Sequence, residues 1–351
     1  MSDDNKKKLG EQLIRCVLDD KLSNDKKLKK MDYIIKLGAD INARHEFGYS
    51  ALGLAKAMKD EEIISFLEGK GAENIGLDKE KTEEFFRTAS VDDINKFLNV
   101  LPDGFVLDCD VDLGGRGLKE LPDFSRVVVN GQFACQYNEL ETLKGAPSVV
   151  GGDFNCTHNK LTTLEGAPRE VGDNFDCSHN KLTILKGAPS KVGGYFDCND
   201  NQLTTLEGAP QEVKGDFYCF SNRLISLKGA PQVVNKFYCR YNQLVNLEGG
   251  PKKVKDFNCS YNELKSLKGA PLIVRGTFNC HHNELTNLDG SPSIVGGSFD
   301  CRKNKLRTLR GAPQKVGDGF YCSGNQLTSL KGAPSEVGFC FECEDNPLKS
   351  Y

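Results

Sequence analysis

The sequence predicts a repeat protein: an α-helical N-terminal array followed by a parallel-β solenoid with short strands and little helix. The main warrant is a beat of cysteines at positions 135, 156, 177, 198, 219, 239, 259, 280, 301, 322 and 343. The interval is 21 residues, except for 20 from Cys219 to Cys239 and from Cys239 to Cys259. Each of these cysteines has a Phe two residues before it, an Asn three after and a Leu five after. So short a period marks units that bury their apolar side by stacking on neighbours. The second observation is a slower beat upstream, where Gly38, Gly71 and Gly104 stand 33 residues apart between helix-patterned stretches.

At 351 residues the chain has room for two or more domains. Its formal net charge is −3 with the signs mixed along its length, so no basic block recruits nucleic acid. Residues 1–8 lack the apolar core of a secretory leader, and no apolar run approaches ~18 residues. The expectation is a cytoplasmic protein, of the producing or a host cell, with no membrane partner. Fourteen cysteines would suggest disulfides in a small secreted protein. Here eleven share one place in successive units, a place that wants a small apolar side chain.

Residues 1–8 are read as a flexible charged tail. From Leu9 onward, Leu13, Ile14, Val17 and Leu18 make one apolar face, and Leu28, Met31, Ile34 and Ile35 a second, both at helical spacing. In Leu37-Gly38-Ala39-Asp40-Ile41-Asn42-Ala43, Gly38 suits a left-handed cap and Asp and Asn suit a tight turn. The next unit opens with Phe47-Gly48-Tyr49-Ser50-Ala51-Leu52-Gly53-Leu54-Ala55, where Ser50 is placed to cap a helix. A second helix from Glu61 to Leu67 leads to Gly71, and a third helical pair runs from Glu83 to Leu101 through Phe85, Phe86, Ile94, Phe97 and Leu98. These segments resemble ankyrin repeats, whose opening usually reads Gly-x-Thr-Pro-Leu-His-x-Ala. Ala51 and Gly53 replace the Pro and His, so the match is partial. The resemblance implies three divergent ankyrin-like helix pairs over residues 9–104.

Residues 105–131 read as an atypical first coil, an N-terminal cap to the solenoid. Val111 stands where later units have Phe, Leu113 where they have Cys and Arg116 where they have Asn. Terminal repeats are commonly atypical. No Gly/Ser-rich or Pro-rich linker separates this coil from the helices, so the helices are expected to dock on it.

The solenoid proper spans residues 132–351. A representative unit runs from Val150 to Pro168, and the fixed positions read Val-x-x-(x)-Phe-x-Cys-x-x-Asn-x-Leu-x-x-Leu-x-Gly-Ala-Pro. Strand alternation turns Phe154 and Cys156 inward and Asp153, Asn155 and Thr157 outward. Asn159 is expected to turn inward and bond the backbone of the bend, whose amides and carbonyls lack ladder partners. Leu161, Leu164 and Val171 fill the rest. Pro168 pre-sets an extended back side, where extended or polyproline-like segments are expected. The pattern resembles the leucine-rich repeat, usually Leu-x-x-Leu-x-Leu-x-x-Asn-x-Leu, and is most similar to its short bacterial and bacteriophage class. The resemblance covers residues 105–351, with Phe and Cys replacing two Leu and Gly-Ala-Pro replacing the usual Leu-Pro segment. It implies strands lining a concave face that binds proteins, in a chain from a virus, phage or bacterium.

Reactive constellations are missing from the sequence. It holds no Ser-His-Asp set in an activating context, no phosphate-binding Gly loop and no paired carboxylates in a plausible cleft. No catalytic, cofactor-binding or metal residue is therefore expected. Cys340 falls at an outward strand position in Cys340-Phe341-Glu342-Cys343. Alternation puts those two thiols on opposite faces, so the expectation is an exposed Cys340 open to oxidation and no joint site. His158 and His179 share a position in neighbouring units and are expected to stack as surface residues.

The outward positions change along the array. Early coils offer Asp153, Asn155, Asn174 and Asp176. Middle coils offer Tyr195, Tyr218, Phe220, Tyr238, Arg240, Tyr241 and Tyr261, and later ones Asn279, His281, His282, Asp300, Arg302 and Lys303. Tyr and Arg are enriched in binding hot spots, and exposed aromatic clusters on a rigid face mark interaction sites. The two 20-residue intervals lie in the same region, where a residue dropped between Val and Phe should alter local twist or curvature. The expected function is a non-enzymatic scaffold, monomeric, binding a protein partner through those seven middle-coil residues. The alternative is a structural or adhesive component, such as a virion accessory or a carbohydrate-binding surface, because aromatic rings also stack on sugars.

Overall fold

The computed structural model describes residues 2–19, 21–44, 49–73, 75, 78–99 and 101–348. Among them are six helices followed by short strands and turns: α1 (Asp3–Leu18), α2 (Asn24–Lys36), α3 (Ala51–Ala57), α4 (Glu61–Gly69), α5 (Lys79–Thr88) and α6 (Val91–Asn99). The chain divides into two compact units. One comprises Met1–Gly114, Leu121–Ala134 and Lys144–Gly152, the other Gly115–Glu120, Cys135–Leu143 and Asp153–Tyr351.

In the first unit the helices pair, α1 with α2 and α3 with α4. Leu13, Ile14, Val17, Met31 and Ile34 are buried, as their spacing requires. α1 begins at Asp3, so the residues expected to form a flexible tail are helical from there on. Asp3 and Asp4 lie in its first turn, where carboxylates complement the positive end of the helix dipole. Ser50 caps α3, its Oγ accepting the Gly53 N–H at 3.1 Å. Asp60 and Asp78 cap α4 and α5 in the same way, each at 3.2 Å. Gly38, Gly71 and Gly104 each follow a helix pair with φ of 90°, 82° and 77°, a conformation that a Cβ disfavours. Phe47, Gly48 and His45 lie outside the described residues.

The third helix pair joins the first coil directly. Phe97 of α6 packs on Phe85 and Phe86 of α5, with ring centroids 5.7 and 5.8 Å apart. Phe86 then meets Phe124 at 5.5 Å, and Phe124 meets Phe133 edge-on at 5.2 Å. Glu83 accepts the Asp110 N–H at 3.1 Å, and Asn95 accepts the Asp123 N–H at 2.8 Å. Val111 pairs in register with Phe133, so it holds the place of the repeat's Phe.

The second unit is a parallel β-solenoid. Two-residue strands such as Phe154–Asn155, Phe175–Asp176 and Phe196–Asp197 pair in register to form a front ladder. It continues through Phe217–Tyr218, Lys236–Tyr238 and Asp256–Asn258 to Phe341–Glu342. Behind this ladder the rings of Phe154, Phe175 and Phe196 stack with centroids 5.2 and 5.3 Å apart. The repeat cysteines from Cys135 to Cys322 are fully buried and unpaired. Their thiols add a contact that the sequence did not suggest: Cys177 Sγ donates to Asp197 O at 3.2 Å and Cys198 Sγ to Tyr218 O at 3.3 Å.

The buried asparagines lock each coil to the one before it. Asn180 Nδ2 donates to Cys156 O, Cys177 O and Ser178 O, each at 3.1 Å, while its Oδ1 accepts the Leu161 N–H at 3.0 Å. That is the inward role read from the sequence, extended across coils.

The back of the coil is extended, one of the two forms expected, and its extended segments pair as strands. Glu170–Val171, Lys191–Val192 and Glu212–Val213 form a second parallel ladder. Another runs from Ile273–Val274 to Glu336–Val337. Between them the pairing thins to isolated bridges, Val233 with Lys253 and Val254 with Val274. This is where the two shortened units fall. The lost residue shows there as an interrupted rear ladder, beside an open cavity of about 1040 Å³ lined by residues 207–214 and 228–235.

Candidate functional site: the outer face of the front ladder

Alternation gives each coil four candidate outward places near its Cys: three before, one before, one after and two after, but the place one after is buried at Thr157, which was expected to point outward, and at Ser178, Asn199 and Ser260. The last place is a left-handed turn, occupied by Tyr137, His158, His179, Asp200, Ser221, Tyr241, Tyr261, His282 and Lys303 with φ between 50° and 55°. Few non-glycine residues adopt this conformation. Because the turn repeats in register, its side chains stack: His158 lies 4.3 Å from His179, and Tyr137 4.4 Å from His158.

The seven residues singled out in the sequence do not share one strand face. Tyr241 and Tyr261, 46% and 36% exposed, occupy the turn column beyond the strand. Tyr195, Tyr218, Phe220, Tyr238 and Arg240 are half-buried on the ladder itself. The structure sorts them into two groups. In the first, Tyr218 lies 6.0 Å from Tyr195 and 5.6 Å from Tyr238, with rings tilted at 56° and 58°. In the second, the Arg240 guanidinium lies 4.6 Å over Phe220 and 5.6 Å over Tyr241. Tyr241 stacks on Tyr261 at 4.5 Å, and Tyr261 on His282 at 4.3 Å.

The Tyr218 hydroxyl donates to Asp216 Oδ2 at 2.6 Å. Burial and then this bond to Asp216 hold it well above the usual phenol range. Burial likewise raises Tyr195 and Tyr238. His281 and His282 face each other through their Nδ1 atoms at 2.6 Å, and burial lowers both.

Beside the tyrosines lie carboxylates that the sequence reading left out of the site. Asp176 and Asp197 occupy the same place in neighbouring strands and pair in register. Burial first, and the Asp176 charge second, push the Asp197 carboxyl up to about 7. The signal was in the sequence as an Asp before two consecutive cysteines, followed by Tyr218 and Tyr238 at that same place. Read residue by residue, it looks like surface variation. Read as a column, it is a stack.

Cys340 is half-buried, not exposed, with its Sγ 3.4 Å from the Tyr321 hydroxyl, because the neighbouring ring folds over it. No group of three or more His, Cys, Asp or Glu among the described residues is arranged to hold a metal ion. No described helix is long and apolar enough to cross a membrane.

No protein-family model matches the chain, and no curated protein matches it. Among solved structures it is similar to YopM from Yersinia enterocolitica WA-314, at 18% identity and a TM-score of 0.36, over 69% of this chain and 66% of that one. It is also similar to YopM from Yersinia pestis, described as a leucine-rich effector protein, at 17% identity and a TM-score of 0.34, over 69% of this chain and 84% of that one. The chain thus spans just under two thirds of the first neighbour's length. The coil geometry itself, with in-register Phe, Cys, Leu and Asn ladders, defines this chain as a parallel β-solenoid of leucine-rich coils preceded by six helices.

Proposed function

We propose that the chain is a non-enzymatic protein-interaction scaffold whose partner docks along the front ladder, on its concave side. The site centres on Tyr195, Tyr218, Phe220, Tyr238, Arg240, Tyr241 and Tyr261. One observation carries this reading: aromatic rings and a guanidinium touch one another from coil to coil, on a backbone that the buried Phe, Cys, Leu and Asn ladders hold fixed. Binding then costs little ordering of the receptor. The N-terminal helices make an ankyrin-like array, supported by the 33-residue glycine period and the Ser50 cap. The repeat pattern's resemblance to the bacterial and bacteriophage class supports a partner in the cytoplasm of a host cell.

The adhesive alternative needs aromatic faces free to stack on sugar rings. Tyr241 and Tyr261 cover each other's faces instead, at 15° between planes, which favours the protein-binding reading. The deciding experiment is a pull-down from host lysate with the wild-type chain and a Tyr218→Ala/Phe220→Ala/Tyr238→Ala variant whose fold is checked by circular dichroism. Loss of specific partners supports the proposal. A variant that keeps every partner refutes it, and binding on a glycan array would favour the adhesive reading.

A further inference from the structure

The chain carries, on its own surface, a worked example of what part of this face is built to receive. Asp300 precedes Cys301, and in register beside it in the next strand lies Tyr321. Arg302, just after Cys301, turns back over this pair. Its Nε donates to Asp300 Oδ1 at 3.0 Å and its Nη2 to Oδ2 at 2.7 Å, and its guanidinium lies 5.2 Å from the Tyr321 ring centroid. A two-pronged bond to a carboxylate combined with packing on an aromatic ring is the geometry a guanidinium satisfies better than an ammonium.

The same acceptor pair recurs without the arginine. Asp197 precedes Cys198, and Tyr218 lies in register beside it. The place after Cys198 holds Asn199, whose Oδ1 accepts the Phe220 N–H at 2.9 Å and so is committed to the backbone. Asp197 Oδ1 accepts the Asn199 N–H at 2.9 Å, and Asp176 Oδ1 the Ser178 N–H at 3.0 Å. No cation among the described residues forms a salt bridge with either carboxylate. Two other carboxylates of the face are compensated: Asp216 by Tyr218, Asn235 and Lys236, and Asp300 by Arg302.

We infer that Asp197, Asp176 and Tyr218 form an arginine-binding subsite, in which a guanidinium from an extended segment of the protein partner takes the position that Arg302 occupies over Asp300 and Tyr321. This rests on the reading of the front ladder as the docking face and adds the chemistry of the partner. Tyr195 packs against Tyr218 with centroids 6.0 Å apart, and a cation over the Tyr218 ring gains from its face as well as from the carboxylates.

The test is fluorescence anisotropy with the full chain and fluorescein-labelled (Gly-Arg)4, with (Gly-Lys)4 and (Gly-Glu)4 as comparisons. The arginine peptide is expected to bind several-fold tighter than the lysine one, and the glutamate one not at all. Asp197→Asn should weaken arginine binding at least tenfold. Asn199→Arg, which supplies the missing guanidinium internally, should block it to a similar degree. Asp318→Asn, remote and exposed, should change nothing. Absence of binding, lysine binding as tight as arginine, or indifference to both Asp197→Asn and Asn199→Arg overturns the subsite. If lysate partners are lost on Tyr218→Ala/Phe220→Ala/Tyr238→Ala yet survive both subsite variants, the docking face stands and the arginine inference alone fails.

Discussion

Asp197 weakens the fold at neutral pH, and Asp197→Asn should relieve it. The carboxyl titrates at about 7 against an unperturbed 3.8, through burial first and the Asp176 charge second, partly offset by the Asn199 N–H and with Asp200 adding a smaller repulsion. For an acid raised in this way, the folded state keeps its proton between pH ~4 and ~7, where the unfolded chain has lost it. Stability from this group is therefore greatest near pH 4, falls as pH rises to about 7 and levels off above that. At ~1.4 kcal/mol per unit the whole shift would be worth ~4 kcal/mol. Asp197 is half-buried, and solvent screening reduces the expected figure to about 1–2 kcal/mol. Asparagine keeps the shape and the Oδ1 that accepts the Asn199 N–H at 2.9 Å, and removes the charge. The variant should be about 1–2 kcal/mol more stable than wild type at pH 8, with the gap closing near pH 4. Urea titrations followed by circular dichroism at both pH values measure it. A variant less stable at pH 8, or a gap independent of pH, would refute the electrostatic account. The stability gain and the predicted loss of arginine binding from one substitution would mark a binding site kept at a cost to the fold.

Asn201→Ala orphans the buried Leu182 N–H, which Asn201 Oδ1 accepts at 2.9 Å, while Cys177 O keeps the Asn180 amide as a donor. At about 1–3 kcal/mol per unmet group, the loss should appear as faster hydrogen exchange at the Leu182 amide, and unchanged exchange there would contradict the ladder. Gly187→Ala puts a methyl at φ 90° within 2.6 Å of the Leu164 backbone. A clear drop in Tm is expected, and a neutral effect would mean that the coils are looser than described. Iodoacetamide should label Cys340 and Cys343 in the native protein while Cys198 and Cys219, buried with thiols pushed far above their usual range, react on unfolding alone. Peptide mapping of the labelled sites decides this. The exposed cross-coil pairs Glu165–Lys186, Glu207–Lys228 and Glu248–Lys268, at 2.6 to 2.7 Å, should contribute little, so 1 M NaCl should shift stability by less than ~1 kcal/mol.

Much of the solenoid could be read from the chain because a stacked coil repeats one local problem. Phe154, Cys156, Asn159 and Leu161 recur at fixed offsets since every coil must fill the same interior and satisfy the same bend. The candidate site was legible in part. Tyr218, Tyr238 and Arg240 stood out as aromatic and cationic residues at outward places. Asp197 did not, because its significance lies in having Asp176 on one side and Tyr218 on the other, each 21 residues away. The alternation of Glu165, Lys186, Glu207, Lys228, Glu248 and Lys268 was just as visible in the sequence. It acquires meaning when consecutive coils prove to be in register, so that opposite charges meet.

The sequence by itself determined the coil: its period, its buried Phe and Cys, its inward Asn and the helix pairs that precede it. These follow from local periodicity and from the requirement that buried backbone groups be paired. Tertiary structure decided what neighbouring coils do to one another. It set the second ladder at the rear and its interruption at the shortened units, placed Tyr241 and Tyr261 in a left-handed turn rather than on the strand, and set Asp176 and Asp197 in register with no cation bridging them among the described residues. Those outcomes depend on register across coils and on the loss of solvent between them, quantities that no single repeat contains.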